Sequence, residues 1–170
     1  MSLKLLLLTH AAATLIMVGV IWVIQVVHYP LMRRVGGGGF ARYEEDHTRR
    51  TSPVVAPVMI FELGTGLWLA LDPPVLFGAH WLWANAAGLA VIWVSTFALQ
   101  VPIHRHLAAG YDERAIGRLV AGNWVRTAAW SARALLLMVL LLSALREVTG
   151  TPVTAGTTGP ASVAKGRPGP

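Results

Sequence analysis

Four long apolar runs separated by polar connections set the rhythm of the chain. The first covers about Leu5 to Tyr29, the second about Pro53 to Leu71, the third about Trp81 to Ile103 and the fourth about Trp124 to Leu145. As a helix, the stretch from Leu5 to Val27 would reach roughly 35 Å at about 1.5 Å per residue, enough to cross a bilayer with some tilt. Pro30 is expected to stop the first helix, and Asp72-Pro73-Pro74 to close the second. Gly36 to Gly39 read as a flexible joint. A short amphipathic helix should follow, with Phe40 and Tyr43 on one face and Arg42, Glu45 and Arg49 on another. Residues 147 to 170, rich in Gly, Pro, Thr and Ala, lack the apolar side chains to bury a core and read as a disordered tail.

The polar exceptions inside the runs are themselves periodic. His10, Thr14, Met17, Ile21, Gln25 and His28 recur at spacings of three and four, one stripe on one helix face. Thr96, Gln100 and His104 follow the same spacing on the third span. Lipid offers such groups no partners, so both stripes must turn into a bundle. The expected fold is therefore all-α: an integral membrane four-helix bundle over residues 1–147, with two helix hairpins as a candidate repeat, and a tail over 148–170. Lys4 and the leucines after it have the look of a signal peptide, with Ala11-Ala12-Ala13 as the cleavage region. The apolar run continues past them to Val27, which favours a retained span.

Composition agrees. Of 170 residues 55% are hydrophobic and 13% charged, against about a quarter charged in soluble domains, and mean hydropathy is +0.57. The absence of cysteine removes disulfides, thiolate zinc sites, iron–sulfur clusters and cysteine nucleophiles. The net charge of +6 comes from basic residues at the ends of apolar runs, which fits topology and lipid headgroups and speaks against nucleic acid. Arg33, Arg34, Arg42, Arg49 and Arg50 lie between spans one and two, and Arg105, Arg114 and Arg118 between spans three and four. The turn between spans two and three has none. By this bias the long loops face the cytoplasm and both termini the outside of the cell membrane.

Placing His28 over His104 also sets Leu31 on Leu107, Arg42 on Arg118, Arg50 on Arg126 and Thr51 on Thr127. Such a repeat would relate the hairpins by an axis along the membrane normal and bring paired positions to one depth. Ionisable residues within a span are expensive, about 2.5–3.5 kcal/mol at a helix centre. Glu62 and Arg133 lie at matching distances from the cytoplasmic ends of spans two and four, so an ion pair between them is expected. Gln25, His28, His47, Glu62, Gln100, His104, Asn123, Arg126 and Arg133 then gather in the inner half, leaving His10 and Asn85 in the outer. A site would open toward the cytoplasm.

Three chemistries suit this cluster. Glu44 and His47 form a Glu-x-x-His arrangement, placed in a loop, which His28, His104, His106 and Glu62 could complete as an iron site. His28 and His104, at equal depth on facing helices, could ligate a haem. A cofactor-free cavity lined by His, Asn, Gln, Arg and Trp could bind an aromatic or quinone-like molecule, a histidine acting as base and Arg and Asn stabilising an oxyanion.

In the second half, Gln100-Val101-Pro102-Ile103-His104, then Leu107-Ala108-Ala109, then Asn123-Trp124-Val125-Arg126-Thr127 resembles the small four-helix membrane family that includes anthrone oxygenases. The first hairpin matches more loosely, through Pro30 and the aromatic-plus-Arg loop ending at Pro57. The family shows a Val-Pro-Ile/Leu-Asn segment before a loop and an Asn-x-x-Arg segment opening the final helix. Here His104 stands where Asn is usual, and His28 precedes Pro30. Residue by residue, the resemblance carries over Asn123 and Arg126, with His104 a substituted position. It implies a membrane-embedded, oxygenase-like oxidoreductase acting on a lipophilic aromatic or quinone-type molecule. The expected site is His28, His104, Asn123 and Arg126 for catalysis, with Gln25, Glu62, Gln100 and Arg133 binding substrate. The reading from another class is a non-catalytic membrane protein that binds haem, lipid or a protein partner in the same pocket; a homo-oligomer fits either.

Overall fold

The computed structural model describes residues 3–74 and 77–150. Six α-helices and two π-helical turns join into four rods. The first rod is α1 (Leu3–Val23), a π-turn (Ile24–His28) and α2 (Tyr29–Met32). The second is α3 (Phe40–Leu71). The third is α4 (Ala79–Ser95), a second π-turn (Thr96–Gln100) and α5 (Val101–Leu107), and the fourth is α6 (Glu113–Gly150). No strand occurs among the described residues. All four rods are long and apolar enough to cross a membrane, and the chain is a multi-pass, all-helical membrane protein. Residues 151–170, the greater part of the expected tail, lie outside the described residues, and α6 itself runs on to Gly150.

Pro30 does not stop the first helix. Its ring would collide with the carbonyl four residues back in an α-helix, and it has no N–H to donate. The turn before it widens into a π-helix, the extra residue absorbs the collision, and the path continues to Met32. Pro102 follows the second π-turn in the same way. The short amphipathic helix is likewise not separate. Phe40 to Leu71 form one helix with Pro53 and Pro57 inside it, so the Glu44–His47 segment, expected as loop, is helical. The join before it turns at Gly36, whose φ of 72° suits glycine. At the start of α6, Asp112 Oδ1 accepts the backbone N–H groups of Arg114 and Ala115 at 2.9 and 3.0 Å, and its other oxygen meets His106. Those bonds, the Ala115 one foremost, hold the Asp112 carboxyl below its ordinary pKa.

In the bundle α1 neighbours α3 and α6, and α4 neighbours the same two. The first and third rods are therefore diagonal, as are the second and fourth. Outward surfaces are apolar: Leu135, Val94 and Val54 are 70%, 65% and 63% exposed. That inversion of the usual pattern is what a hydrocarbon solvent demands. Inside, apolar and polar layers alternate. An outer apolar layer contains Leu6, Leu69, Leu82 and Leu140. A middle one contains Met17, Ile21, Met59, Ile92 and Trp130, and an inner one Tyr29, Met32, Phe40, Leu107 and Ile116. Between them sit two polar layers. From His10 to Gln25 the predicted stripe is buried throughout, with His28 half-buried at its end.

Candidate functional site

The outer polar layer is a knot of four helices. Glu62 and Arg133 form the expected ion pair, Arg133 Nη1 donating to Glu62 Oε1 at 2.5 Å, and both are buried. This bond spans one diagonal of the bundle. The other is spanned by Asn85 Nδ2, 3.1 Å from His10 Nε2. Arg133 Nε also donates to the Asn85 carbonyls at 3.1 and 3.2 Å, Thr14 donates to Glu62 Oε1 at 2.7 Å, and Trp130 Nε1 donates to Glu62 Oε2 at 3.0 Å. Thr65 meets His10 Nδ1 at 2.8 Å. Two glycines make room. A Cβ at Gly88 would come within 2.6 Å of the Arg133 stem, and one at Gly66 within 3.0 Å of the His10 ring. With its polar atoms satisfied, the knot holds the helices in register. Glu62 and Arg133 thus belong with His10 and Asn85, and do not line the inner site as expected. Matching depth along parallel helices located the pair correctly; the position of α1 and α4 beside it decided which polar layer it joined.

The inner layer is different because it surrounds space. A cavity of about 310 Å³ lies between α3 and the third rod, floored by the first rod and α6. Val55, Ala56, Met59 and Phe97 give it apolar walls, and Tyr29, His47, Thr96, Gln100, His104 and Arg126 put polar atoms at it. The π-turns contribute to this lining: the first gives Ile24, the second Thr96 and Gln100. π-turns recur at functional sites because the extra residue re-aims side chains without breaking the helix.

Arg126 is buried, and no carboxylate lies within ion-pair reach of it among the described residues. It is steered by neutral groups. Its Nε donates to Asn123 Oδ1 at 3.0 Å and Nη1 to Thr96 at 3.4 Å, and the guanidinium lies 5.7 Å from the Trp130 ring centre. Asn123 in turn donates to Gln25 Oε1 at 2.8 Å, and Gln25 donates to the Val120 carbonyl at 3.2 Å. Asn123 and Gln25 therefore stand behind Arg126 and orient it. Gln100 leaves both amide atoms unpartnered, as does the indole N–H of Trp93. Buried polar groups without partners are uncommon and call for a ligand or solvent to satisfy them.

His104 sits at the cavity between two partners. Its Nδ1 lies 2.5 Å from Glu44 Oε1 and its Nε2 lies 2.9 Å from the Tyr29 hydroxyl. A carboxylate only accepts, so Nδ1 carries the hydrogen, and in the neutral ring Tyr29 donates to Nε2. Glu44 is wholly buried, with Oε2 unpartnered. His47 lies beside this chain, its ring stacked on His28 at 4.3 Å and 5.5 Å from His104. His28 approaches the Tyr43 hydroxyl at 3.4 Å and faces a neighbouring cleft instead of the cavity.

His28 and His104 come together, but not as an axial pair for haem. Both ring nitrogens of His104 are engaged, and the His47 ring packs against both residues. Among the described residues no group of three or more His, Asp or Glu is arranged to hold a metal ion, and Glu62 of the proposed iron set is in the other layer. Tyr29 and Trp93 were missed as site residues, and Glu44 was considered only as a metal ligand. For Glu44 a signal existed, since it sits three residues before His47 and so one turn away if the segment is helical. For Trp93 there was none, because an indole in an apolar span reads as a lipid-facing or core residue. Compared with protein-family models, curated proteins and solved structures, the chain matches none of them.

Proposed function

We propose that the chain is a membrane-embedded, oxygenase-like oxidoreductase that takes a lipophilic phenol, anthrone or quinone-type molecule into the inner cavity. One observation carries this reading: a buried Arg126 without a carboxylate partner and an unpartnered Gln100 amide both line an otherwise apolar cavity beside a Glu44–His104–Tyr29 hydrogen-bond chain. A guanidinium in that setting lacks a counter-charge, and an oxyanion developing on a bound ring would supply one. The chain supplies the base. Tyr29 accepts the substrate proton while its own passes to His104 Nε2, and Glu44 balances the imidazolium. For an anthrone-type ring, deprotonation leaves an enolate held by Arg126 and Gln100, which reacts with dioxygen. The methylene loses two hydrogens and gains one oxygen atom, and the second oxygen leaves as water. The short motifs around Pro102 and Asn123 point the same way. The cavity lies in the half of the bundle we assign to the cytoplasmic side, on the strength of Arg33, Arg34, Arg42, Arg49 and Arg50 in one inner connection and Arg105, Arg114 and Arg118 in the other.

The test is oxygen uptake and quinone absorbance with a hydroxylated anthrone and the purified chain in nanodiscs. Arg126→Gln should slow turnover by roughly 10²–10³-fold, and His104→Ala by roughly 10²-fold or more. Wild-type protein that forms no quinone above the spontaneous rate, or Arg126→Gln protein that matches it, would remove the proposal.

A further inference from the structure

Two openings flank the inner half of α3. Besides the site cavity there is a cleft of about 430 Å³ between α1 and α3, walled by Gly19, Val20, Val23 and Val54, with His28 and Arg50 at its inner end. Val23 and Val54 are 58% and 63% exposed, so this cleft faces lipid. Nothing lies within 4 Å of where a Gly19 Cβ would be; the missing side chain keeps the cleft open. Ile24, His47, Thr51 and Val55 line both openings. A single layer of side chains therefore separates them.

The hydrogen bond of His47 runs to Thr51, one turn along the same helix, at 3.2 Å, so rotating the ring unstacks it from His28 but breaks no hydrogen bond between helices. On the far side the cavity is bounded by the stacked rings of Trp93 and Phe97, 5.5 Å apart. The cavity itself, about 310 Å³, is at the small end of ligand sites, which run from roughly 300 to 1,000 Å³. It suits a ring, and not a ring with a long substituent.

We infer that the ligand is a quinone or quinol with a long apolar chain, its ring in the cavity against Arg126 and Gln100 and its chain passing His47 into the α1–α3 cleft. This rests on the ring-binding reading given above and names the class of molecule. A chain already dissolved in lipid gains little from entering an apolar cleft, because acyl chains are equally apolar. The cleft acts by giving the chain somewhere to lie while the ring seats. Blocking it should therefore exclude tailed molecules by collision and leave tail-less rings alone.

The probes are decylubiquinone and its tail-less parent, 2,3-dimethoxy-5-methyl-1,4-benzoquinone, titrated against the full chain in nanodiscs by quenching of tryptophan fluorescence, with empty nanodiscs correcting for partition. Gly19→Leu fills the cleft from α1, and Val54→Phe fills it independently from α3 should the first variant not fold. Each is expected to weaken decylubiquinone by about tenfold and to leave the parent ring within about twofold. Equal losses for both quinones, no loss for either, or a selective loss with Ala56→Leu at the other mouth of the cavity and none with Gly19→Leu would overturn the inference. If neither quinone quenches the wild-type protein, the ring-binding reading itself has failed.

Discussion

Each buried charge in this protein is defined by what surrounds it. Glu62 and Arg133 satisfy one another and draw Thr14, Trp130, His10 and Asn85 into the same bonds. Removing one partner leaves the other charge stranded, and buried pairs broken in this way lose about 3–5 kcal/mol. Arg133→Ala should therefore lower the unfolding midpoint in a bilayer mimetic markedly, and Glu62→Gln by less, because the amide still accepts from Arg133. The double replacement Glu62→Leu with Arg133→Leu should recover part of the loss. A single Arg133→Ala variant that unfolds with the wild type would show that the pair does not stabilise the bundle. Arg126 is the contrasting case. Held by the neutral side chains of Asn123 and Thr96, it is kept in place but not neutralised.

At the level of elements, the two π-turns separate packing from chemistry. Each precedes a proline, each keeps its helix continuous, and each inserts a residue that turns polar side chains toward the inner layer. Deleting Leu99, 41% exposed within the second π-turn, should return Thr96–Gln100 to α-helical geometry while α4 and α5 keep their packed faces. The expected result is a folded protein, monodisperse and with near-native helical circular dichroism, in which the Gln100 amide no longer reaches the cavity and quinone quenching is lost. Retained quenching would show that the π-turn does not set the site. Pro30 was visible in the sequence as helix punctuation, and Pro102 as part of a short motif within the third span. Their effect was not, because whether a helix ends or widens at a proline depends on what packs on the far side.

For the whole molecule, the absence of cysteine makes topology directly measurable. A single cysteine at Gly37 should be shielded from a membrane-impermeant maleimide in intact cells and react once they are lysed, and one at Asp72 should react in both. The reverse labelling would invert the orientation, and with it the side of the membrane nearer the cavity. The physical basis of the expectation is that basic residues resist translocation, which favours keeping the arginine-rich connections inside.

Four helices, their inward stripes and the Glu62–Arg133 pair were legible in the amino-acid sequence, because lipid cannot hydrate polar groups and forces their periodicity to report the bundle interior. The division of the polar residues into two layers was not. It depends on the diagonal placement of α1 opposite α4 and of α3 opposite α6, which brings His10 to Asn85 and leaves Arg126 among neutral groups. Nor could the sequence show that Glu44 is helical and buried against His104, or that Gln100 has no partner. Side-chain spacing along one helix is a local property, whereas which atoms are left unsatisfied follows only from how four helices close around a space.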